Sequence, residues 1–568
     1  MSPAQNSKKS LKLSFFQGVL PLKPSQVPWE ITAGIAFAAV AIPQVMGYTK
    51  IAGMPLVTGI YTILLPMIAF AIFGSSRHLA VGADSATSAI IASGLIAIAI
   101  PESQQYIAYA SMIALLAAIL LLLAGLLQLG FLADFLSHTI LIGFLTGVGI
   151  QITLFELSEV LGIPHELYRT SMQITPLHII SLFKYLYLIN VPTFIVSSSV
   201  IMIITLSRKV SKKVPGALLA MIGAIVASWA LDLSSHGITI LGTLPGSLPH
   251  LSLPQVPLSD IPKVFNLSVA CFIVILAQSA ATSRAYAMKF SDTYNENLDL
   301  IGLSFANIAA GVSGTFVVNG SPTETEMVKS AGGGTQLTQL TAVFTVLIVL
   351  IFFTKPLAYL PTCVLSSVVF LIGLRLIDIK GMTALHRQRP VEFSVALITA
   401  MTVIVLGVQQ GIEIAIVLSI IAHLRHSYRP LNLLLVPKAG SSMKTVSLKE
   451  QQQAVEGLLI YRFGSNLYFA NENLFTEEIV ELTTNINSLE WFCISASNIG
   501  DVDFTSSETL KSVYAYLKKQ GITLVLSDVV LPVMNELERD GIIKMIGRDH
   551  IFESVQDVIV AYKSWVNS

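Results

Sequence analysis

Charge is what this sequence has least of. Only 12% of its 568 residues are Asp, Glu, Lys or Arg, and the 34 basic and 34 acidic residues cancel. With no net charge there is no extended field to hold a polyanion, which sets nucleic acid aside as a partner. Cysteine is nearly absent too: Cys271, Cys363 and Cys493 stand at neither metal-ligand nor redox spacing and supply no disulfide framework. No histidine pair has zinc spacing, no glycine-rich loop ends in a phosphate-binding lysine, and no nucleophile elbow occurs. The reading is therefore of a chain that is not an enzyme and needs no cofactor or metal. Lys8, Lys9 and Lys12 are not followed by a short apolar core with a small-residue cleavage site, so no removable signal is expected.

What fills the space left by charge is apolar sequence. Hydrophobic residues make up 53% of the chain and the mean hydropathy is +0.72, outside the range of soluble globular proteins. Apolar runs begin at Ile31 and recur until Ala422, in lengths that suit spans of about 20 residues, some of them shorter. The first set reads Ile31–Tyr48, Val57–Phe73, Ala86–Ile98, Ala108–Leu127, Thr139–Leu157, Val191–Leu206 and Ala217–Leu233. The second reads Leu267–Thr282, Leu300–Gly311, Pro322–Lys329, Leu340–Phe353, Ala358–Leu376, Val391–Val408 and Ile412–His423.

An even number of spans puts both termini on one side, and loop charge says which. With the N-terminus inside, the cytoplasmic loops hold Arg77, Arg208, Lys209, Lys212, Lys213, Arg284, Lys289, Lys329, Arg375, Lys380, Arg387 and Arg389. The outer loops hold Lys50, Arg169, Lys184, Lys263 and Lys355. The asymmetry obeys the positive-inside rule and predicts cytoplasmic termini for a multi-pass protein of the inner or plasma membrane. The expected division is a cytoplasmic segment at 1–28, a transmembrane domain at 29–426, a polar linker at 427–455 and a soluble α/β domain at 456–568. In that last part GLLIYRF, WFCISAS and ITLVLS read as strands alternating with helices at Glu472–Asn485, Glu508–Lys519, Val533–Asp540 and Val555–Trp565.

Two stretches interrupt the apolar runs. Phe316–Gln336 (FVVNGSPTETEMVKSAGGGTQ) holds a proline, two carboxylates and a glycine triplet. Val81–Ser88 (VGADSATS) is a second break, in the other half. Lipid cannot satisfy backbone that leaves a helix, so such breaks survive only inside protein or beside water. Carboxylates at membrane depth are costly and point to function. Paired interruptions in the two halves point to a transporter's binding site.

The run IPQVMGYTKIAGMPLVTGIY (Ile42–Tyr61) followed by FGSSRHLAVG (Phe73–Gly82) resembles the signature of the SulP family of anion transporters, the sulfate permeases. It departs from that signature at Gly47, Thr49, Ile51, Leu56, Thr58 and Ile60. ASNIGDVDFTSSETL (Ala496–Leu510) is similar to the centre of a STAS domain. The resemblance implies a polytopic α-helical membrane protein of seven plus seven inverted segments, divided into core and gate, with a C-terminal cytoplasmic α/β STAS domain. It also implies a homodimer. The third and tenth segments would be half-helices whose N-termini face each other across the substrate, and the two breaks fall in those segments.

Helix N-termini carry partial positive charge and unpaired N–H donors, which can hold an oxyanion without a lysine. Gly82 and Gly320 would admit close backbone approach, Ser85 and Ser321 would cap the half-helices, and Gln44, Gln278 and Thr323 complete the expected substrate-binding set with Asp84. Family members often place a carboxylate where Gln278 stands and an arginine where Glu324 stands; Asp84 adds a second negative charge. Two ionised carboxylates beside a dianion would cost several kcal/mol at an effective dielectric of about 20. Glu324 and Asp84 are therefore the expected coupling-ion residues, holding H+ or Na+. A simple capping role for both is the bland alternative. The expected function is secondary active transport of a small inorganic oxyanion, sulfate first, by an elevator-type movement of the core. Bicarbonate or a dicarboxylate, proton-coupled uptake of a nucleobase-like solute, and a non-transporting receptor follow behind. In the STAS domain, Thr505–Glu508 (TSSE) reads as a capping box rather than a phosphorylation site.

Overall fold

The structure, a computed structural model, describes residues 15–130, 138–163, 186–210, 215–242 and 248–408, scattered residues between 410 and 428, and 430–438, 442–486 and 488–567. It separates into two compact units, Met1–Ser419 and Ile420–Ser568. The expected span Ile412–His423 lies largely outside the described residues, as do Arg169, Lys184, Lys212 and Lys213.

The first unit is helical. α1 (Val27–Ala52), α2 (Leu56–Ile63) and α3 (Leu65–Phe73) lead to a two-residue strand, β1 (Val81–Gly82), and then α4 (Ser85–Leu95), α5 (Gln104–Leu126), α6 (His138–Val160), α7 (Val191–Val210) and α8 (Gly216–Leu231). The second half runs α9 (Ile261–Phe290), α10 (Glu296–Val312), β2 (Asn319–Gly320), α11 (Pro322–Ser330), α12 (Gln336–Phe352), α13 (Thr362–Leu376), α14 (Ile379–Gln388) and α15 (Pro390–Leu406). Among the described residues, six helices are long and apolar enough to cross a membrane by length and composition. The expected span Val57–Phe73 is two helices. Pro66, at the second position of α3, has no N–H to continue the ladder from α2, and Leu64 takes the break. Helix α14 was not expected; its polar, basic sequence hides it from a search for apolar runs.

The helices pack in two bundles. α1 to α5 associate with α9 to α12, whereas α6 to α8 associate with α13 and α15. Close approach depends on small residues. A Cβ on Gly143 of α6 would stand 2.3 Å from the Ala396 carbonyl oxygen of α15, and one on Gly302 would stand 2.7 Å from the Gly74 Cα. In a membrane, where apolar side chains have no water to escape, such backbone proximity is the main source of helix association.

Where helices stop, side chains supply the missing bonds. Glu30 of α1, 3% exposed, accepts from the Gly334 and Thr335 amides and from the Thr338 hydroxyl, so the glycine triplet is held to the start of α1. Asp299 of α10 accepts from the Ser75 and Ser76 amides, both at 2.8 Å, and from the Ser283 hydroxyl.

The second unit is a six-stranded sheet in the order β4–β3–β5–β6–β7–β8, with β3 at Leu433–Pro437, β4 at Met443–Ser447, β5 at Leu458–Arg462, β6 at Trp491–Ser495, β7 at Thr523–Ser527 and β8 at Ile551–Phe552. β5 to β8 are parallel, and β3 pairs antiparallel with both β4 and β5. Side chains alternate between faces. Leu459, Tyr461, Phe492 and Ile494 join the core under α16 (Glu472–Asn485), α17 (Phe504–Lys519), α18 (Leu531–Arg539) and α19 (Ile542–Ile546). Leu458, Ile460 and Cys493 meet Val555, Val558 and Tyr562 of α20 (Val555–Val566) on the other face. Burial pushes the Cys493 thiol up to about 12, which makes it a packing residue and not a reactive one.

Two expectations need correction here. The polar stretch 427–455 is not a bare linker, because its short apolar run LLLVP buries Leu434, Leu435 and Val436 and extends the sheet by a hairpin. And α17 is capped by Asp503, which accepts from the Ser506 amide at 2.8 Å; Thr505 is the second helical residue and exposed. Truncating Leu434, which is wholly buried, to alanine is expected to destabilise the second unit by about 2–5 kcal/mol. Thermal or urea denaturation of the full chain, followed by the fluorescence of Trp491 and Trp565, checks this. An unchanged transition would return 433–447 to the status of a linker.

Candidate functional site

The site is organised by four residues of backbone. β1 and β2 pair antiparallel, Val81 opposite Gly320 and Gly82 opposite Asn319, at the point where each half of the first unit leaves its helix. The flanking amides are satisfied internally: Ser321 N–H donates to the Ala80 carbonyl at 2.9 Å, Ala80 N–H to the Thr325 hydroxyl, and Val81 N–H to Gln339 Oε1, both at 3.0 Å. Gln336 and Gln339 in turn donate to the Leu79 carbonyl, both at 2.8 Å. Non-helical backbone at membrane depth is thus enclosed in protein, as lipid would require.

From this crossing two short helices leave. α4 begins at Ser85 with Asp84 as its cap, the carboxylate accepting from the Ala86 amide at 3.0 Å. The expectation that Ser85 caps α4 is therefore corrected. Ser85 already has its place in the first turn, and Asp84 is the residue with extended backbone before it. α11 begins at Pro322, which has no N–H to leave unpaired, and Ser321 caps it by accepting from the Glu324 amide at 3.4 Å. The Ser321 and Thr323 hydroxyls are 3.1 Å apart, and Thr323 is exposed at the open end of the helix.

Glu324 is unlike every other carboxylate described so far. It is 0% exposed, and neither carboxyl oxygen has a hydrogen-bond partner. It caps nothing: its own amide is taken by Ser321, while its side chain lies against Gly82 in electrostatic contact with Asp84. A Cβ on Gly82 would stand 2.6 Å from Glu324 Oε2, so glycine is required there for a carboxyl group to fit against β1. A buried polar group left unpaired is expensive in the ionised state and much less so when neutral or bound to a cation.

Gln44 and Gln278 come to the same place from α1 and α9. Gln44 follows Pro43 inside α1 and donates to the Tyr48 hydroxyl, and Tyr48 in turn lies beside Thr323, Asp84 and Glu324. Gln278 accepts from the Asn319 amide group at 2.6 Å; Ser279 donates to Asn319 Oδ1 at 2.8 Å and accepts from the Gly320 N–H at 3.1 Å. All nine residues singled out in the sequence (Gln44, Gly82, Asp84, Ser85, Gln278, Gly320, Ser321, Thr323 and Glu324) therefore belong to one constellation. Tyr48 and Ser279 were missed. Each sits beside a chosen residue in an apolar helix, where a tyrosine or serine gives no signal of its own. Glu326 accepts from the Tyr286 hydroxyl, and the Lys329 ammonium lies 4.4 Å from the centre of the Phe290 ring.

Comparison with known proteins agrees with this architecture. Residues 29–399 match the model of the sulfate permease family and residues 448–558 that of the STAS domain. The chain belongs to the sulfate permease family. Its members are anion transporters and not enzymes, and the multi-pass transmembrane unit followed by a STAS domain is the family's arrangement. A "Probable sulfate transporter" of Mycobacterium tuberculosis is 30% identical over 558 residues, covering 96% of this chain and 98% of that protein. "Sulfate transporter 4.1, chloroplastic" of Arabidopsis thaliana is 26% identical over 556 residues, covering 95% and 80%. Among solved structures, the murine Solute Carrier 26 family member A9 anion transporter in the inward-facing state superposes with a TM-score of 0.86 at 19% identity, over 99% of this chain and 97% of that one. The transmembrane domain of a cyanobacterium bicarbonate transporter gives 0.57 at 20% identity, over 71% and 98%. At these identities the superpositions speak for the fold.

Ser321→Leu removes the cap of α11 and places bulk over its first donors, and Gly320→Val drives a side chain to within 2.7 Å of Leu79 and the Ser279 hydroxyl. A hydrogen bond to a charged group is worth about 1.5–3 kcal/mol, so anion binding is expected to weaken at least about tenfold in either variant. Equilibrium binding of radiolabelled sulfate to purified, monodisperse protein measures it. Wild-type affinity in both variants would place the site elsewhere.

Proposed function

We propose that this member of the sulfate permease family is a secondary active transporter for uptake of a small inorganic oxyanion, sulfate first, driven by a coupled proton or sodium ion. The anion sits at the N-termini of α4 and α11, Thr323 and Ser321 offering donors, with Tyr48, Gln44 and Gln278 around it. Glu324, with Asp84, holds the coupling cation. The bundle of α1 to α5 and α9 to α12 carries the site past the other bundle in an elevator-type movement. The protein works as a homodimer in the inner or plasma membrane, with both termini cytoplasmic.

One observation carries this reading: the Glu324 carboxyl group is wholly buried and unpartnered in direct proximity to the mouth of a half-helix. Among the described residues no lysine or arginine pairs with it, so an ionised Glu324 and an arriving anion would repel one another in a medium of low dielectric. Binding H+ or Na+ there removes the repulsion, and binding the anion stabilises the cation. Each ligand then raises the affinity for the other by the same factor, which is the thermodynamic content of symport. The order of events is cation first, anion second, movement of the loaded site, and release of both on the cytoplasmic side. A carboxylate left empty and buried opposes movement of the half-loaded carrier, which keeps coupling tight.

Bicarbonate is the second substrate to consider, on the likeness in fold to the cyanobacterium bicarbonate transporter domain. A neutral nucleobase-like solute is the third, favoured by the absence of a cationic side chain from the constellation described above and by the amide groups of Gln44, Gln278 and Asn319.

In proteoliposomes, Glu324→Gln is expected to retain substrate binding and exchange but to lose accumulation against a gradient, because the amide keeps the shape of the carboxyl group without its charge or its titration. Wild-type uptake is expected to rise as external pH falls if the ion is H+, and to follow sodium at fixed pH if it is Na+. Sulfate, bicarbonate and uracil run in parallel identify the substrate. Accumulation by the glutamine variant would end the coupling role of Glu324 and move it to Asp84. For the homodimer, native mass in gentle detergent decides: a particle near 61.2 kDa overturns it.

A further inference from the structure

The two bundles meet at a second cluster of charge, away from β1 and β2. Lys50 lies in the last turn of α1 and not in an outer loop, and its ammonium donates to Glu156 at 3.1 Å and to Glu159 at 2.8 Å, both on α6. It also donates to the hydroxyl of Ser366 on α13, which itself donates to Glu159 at 2.9 Å. Lys50 is 21% exposed, Glu159 14%, Glu156 2%, and Ser366 is wholly buried. α1 belongs to the bundle that carries the half-helices, while α6 and α13 belong to the other. The helices are close enough here for charge to be shared: a Cβ on Gly47 of α1 would stand 3.1 Å from Val369 of α13.

We propose that Lys50, Glu156, Glu159 and Ser366 form an ionic latch between the two bundles, closed in this structure and broken once in every transport cycle. The inference rests on the transport reading above and on cytoplasmic termini, which put this end of α1 on the outer side. Physical chemistry ties the latch to access. Separating a half-buried lysine from its carboxylates at the edge of a low-dielectric surrounding is costly unless water replaces the lost partners. Glu156 and Ser366 are buried, and water reaches them only when the two bundles part on the outer side, so breaking the cluster and opening the site to the outside become one event.

A carrier biased towards the closed state shows a weakened apparent affinity on the closed side, in proportion to the fraction open. Lys50→Met is therefore expected to lower the external half-saturation concentration for radiolabelled sulfate roughly fivefold and leave the internal one unchanged or raised, a coupling of the usual allosteric size. Adding Glu159→Gln is expected to change little further, because the interaction is already gone. If Lys50→Met fails to assemble, Glu159→Gln alone retains the Lys50–Glu156 pair and should shift the same parameter less. A measurement independent of substrate uses Ser366→Cys in a background lacking the three native cysteines. Its thiol is expected to react faster with a membrane-impermeant reagent from outside when Lys50 is replaced. A shift on the internal side alone supports the latch and overturns the orientation. Unchanged half-saturation on both sides with unchanged labelling, or fully additive losses in abundance and thermal stability only, overturns the latch.

Discussion

Everything in the transmembrane unit depends on a rule about backbone: a peptide group that leaves a helix inside an apolar medium must find its partners within the protein. Here the rule is met by the smallest possible sheet, Val81–Gly82 against Asn319–Gly320, and by the side chains of Thr325, Gln336 and Gln339 around it. Because that crossing ties the two halves of the unit together, it fixes where α4 and α11 start and how they face one another. Partial positive charge at those two starts follows from helix geometry and needs no basic side chain. The glycines serve the same rule, since only a residue without Cβ at position 82 leaves room for a carboxyl group against the strand.

Within this frame the carboxylates divide by environment. Glu30, Asp84 and Asp299 each accept N–H bonds from backbone amides and so serve as anchors. Glu156 and Glu159 share a lysine. Glu324 has neither kind of partner. The distinction matters because the energetic cost of a buried carboxylate depends on what it touches, and only the one without partners has a strong reason to take up a cation. A family in which an arginine often occupies this position would balance its anion differently, and the exchange of charge sign is what makes coupling the central question for this chain.

Much of this was legible beforehand. Hydropathy located nearly every described span, because the requirement for a long apolar helix writes itself into composition. The two breaks were visible as polar and glycine-rich interruptions, and the nine candidate residues came from them, from the motif around Gln44 and, for Gln278, from the resemblance to the family. Where the reading failed, the local signal was ambiguous. TSSE and a serine after aspartate both look like caps, and only the chain's path shows that Asp503 and Asp84 hold the extended position before the helix. The strands at 433–447 were hidden by polar neighbours, since the apolar run at Leu433–Pro437 is only five residues long and its partner Met443–Ser447 is mostly polar and exposed.

Sequence by itself determined the class of protein, the approximate place of most of its apolar helices and the presence of an α/β unit after them, and it proposed the residues on which a binding site would draw. Those properties are local: they follow from hydrophobicity, helix-breaking residues and short motifs read along the chain. Tertiary structure decided which of those residues meet, that Glu324 faces Gly82 and Asp84 with its oxygens unpaired, that Tyr48 and Ser279 complete the ring, and that Lys50 is locked between α1, α6 and α13. Pairings between residues more than a hundred positions apart leave no trace in a single sequence, because lysine at a helix end looks the same whether it meets water or two carboxylates of another helix.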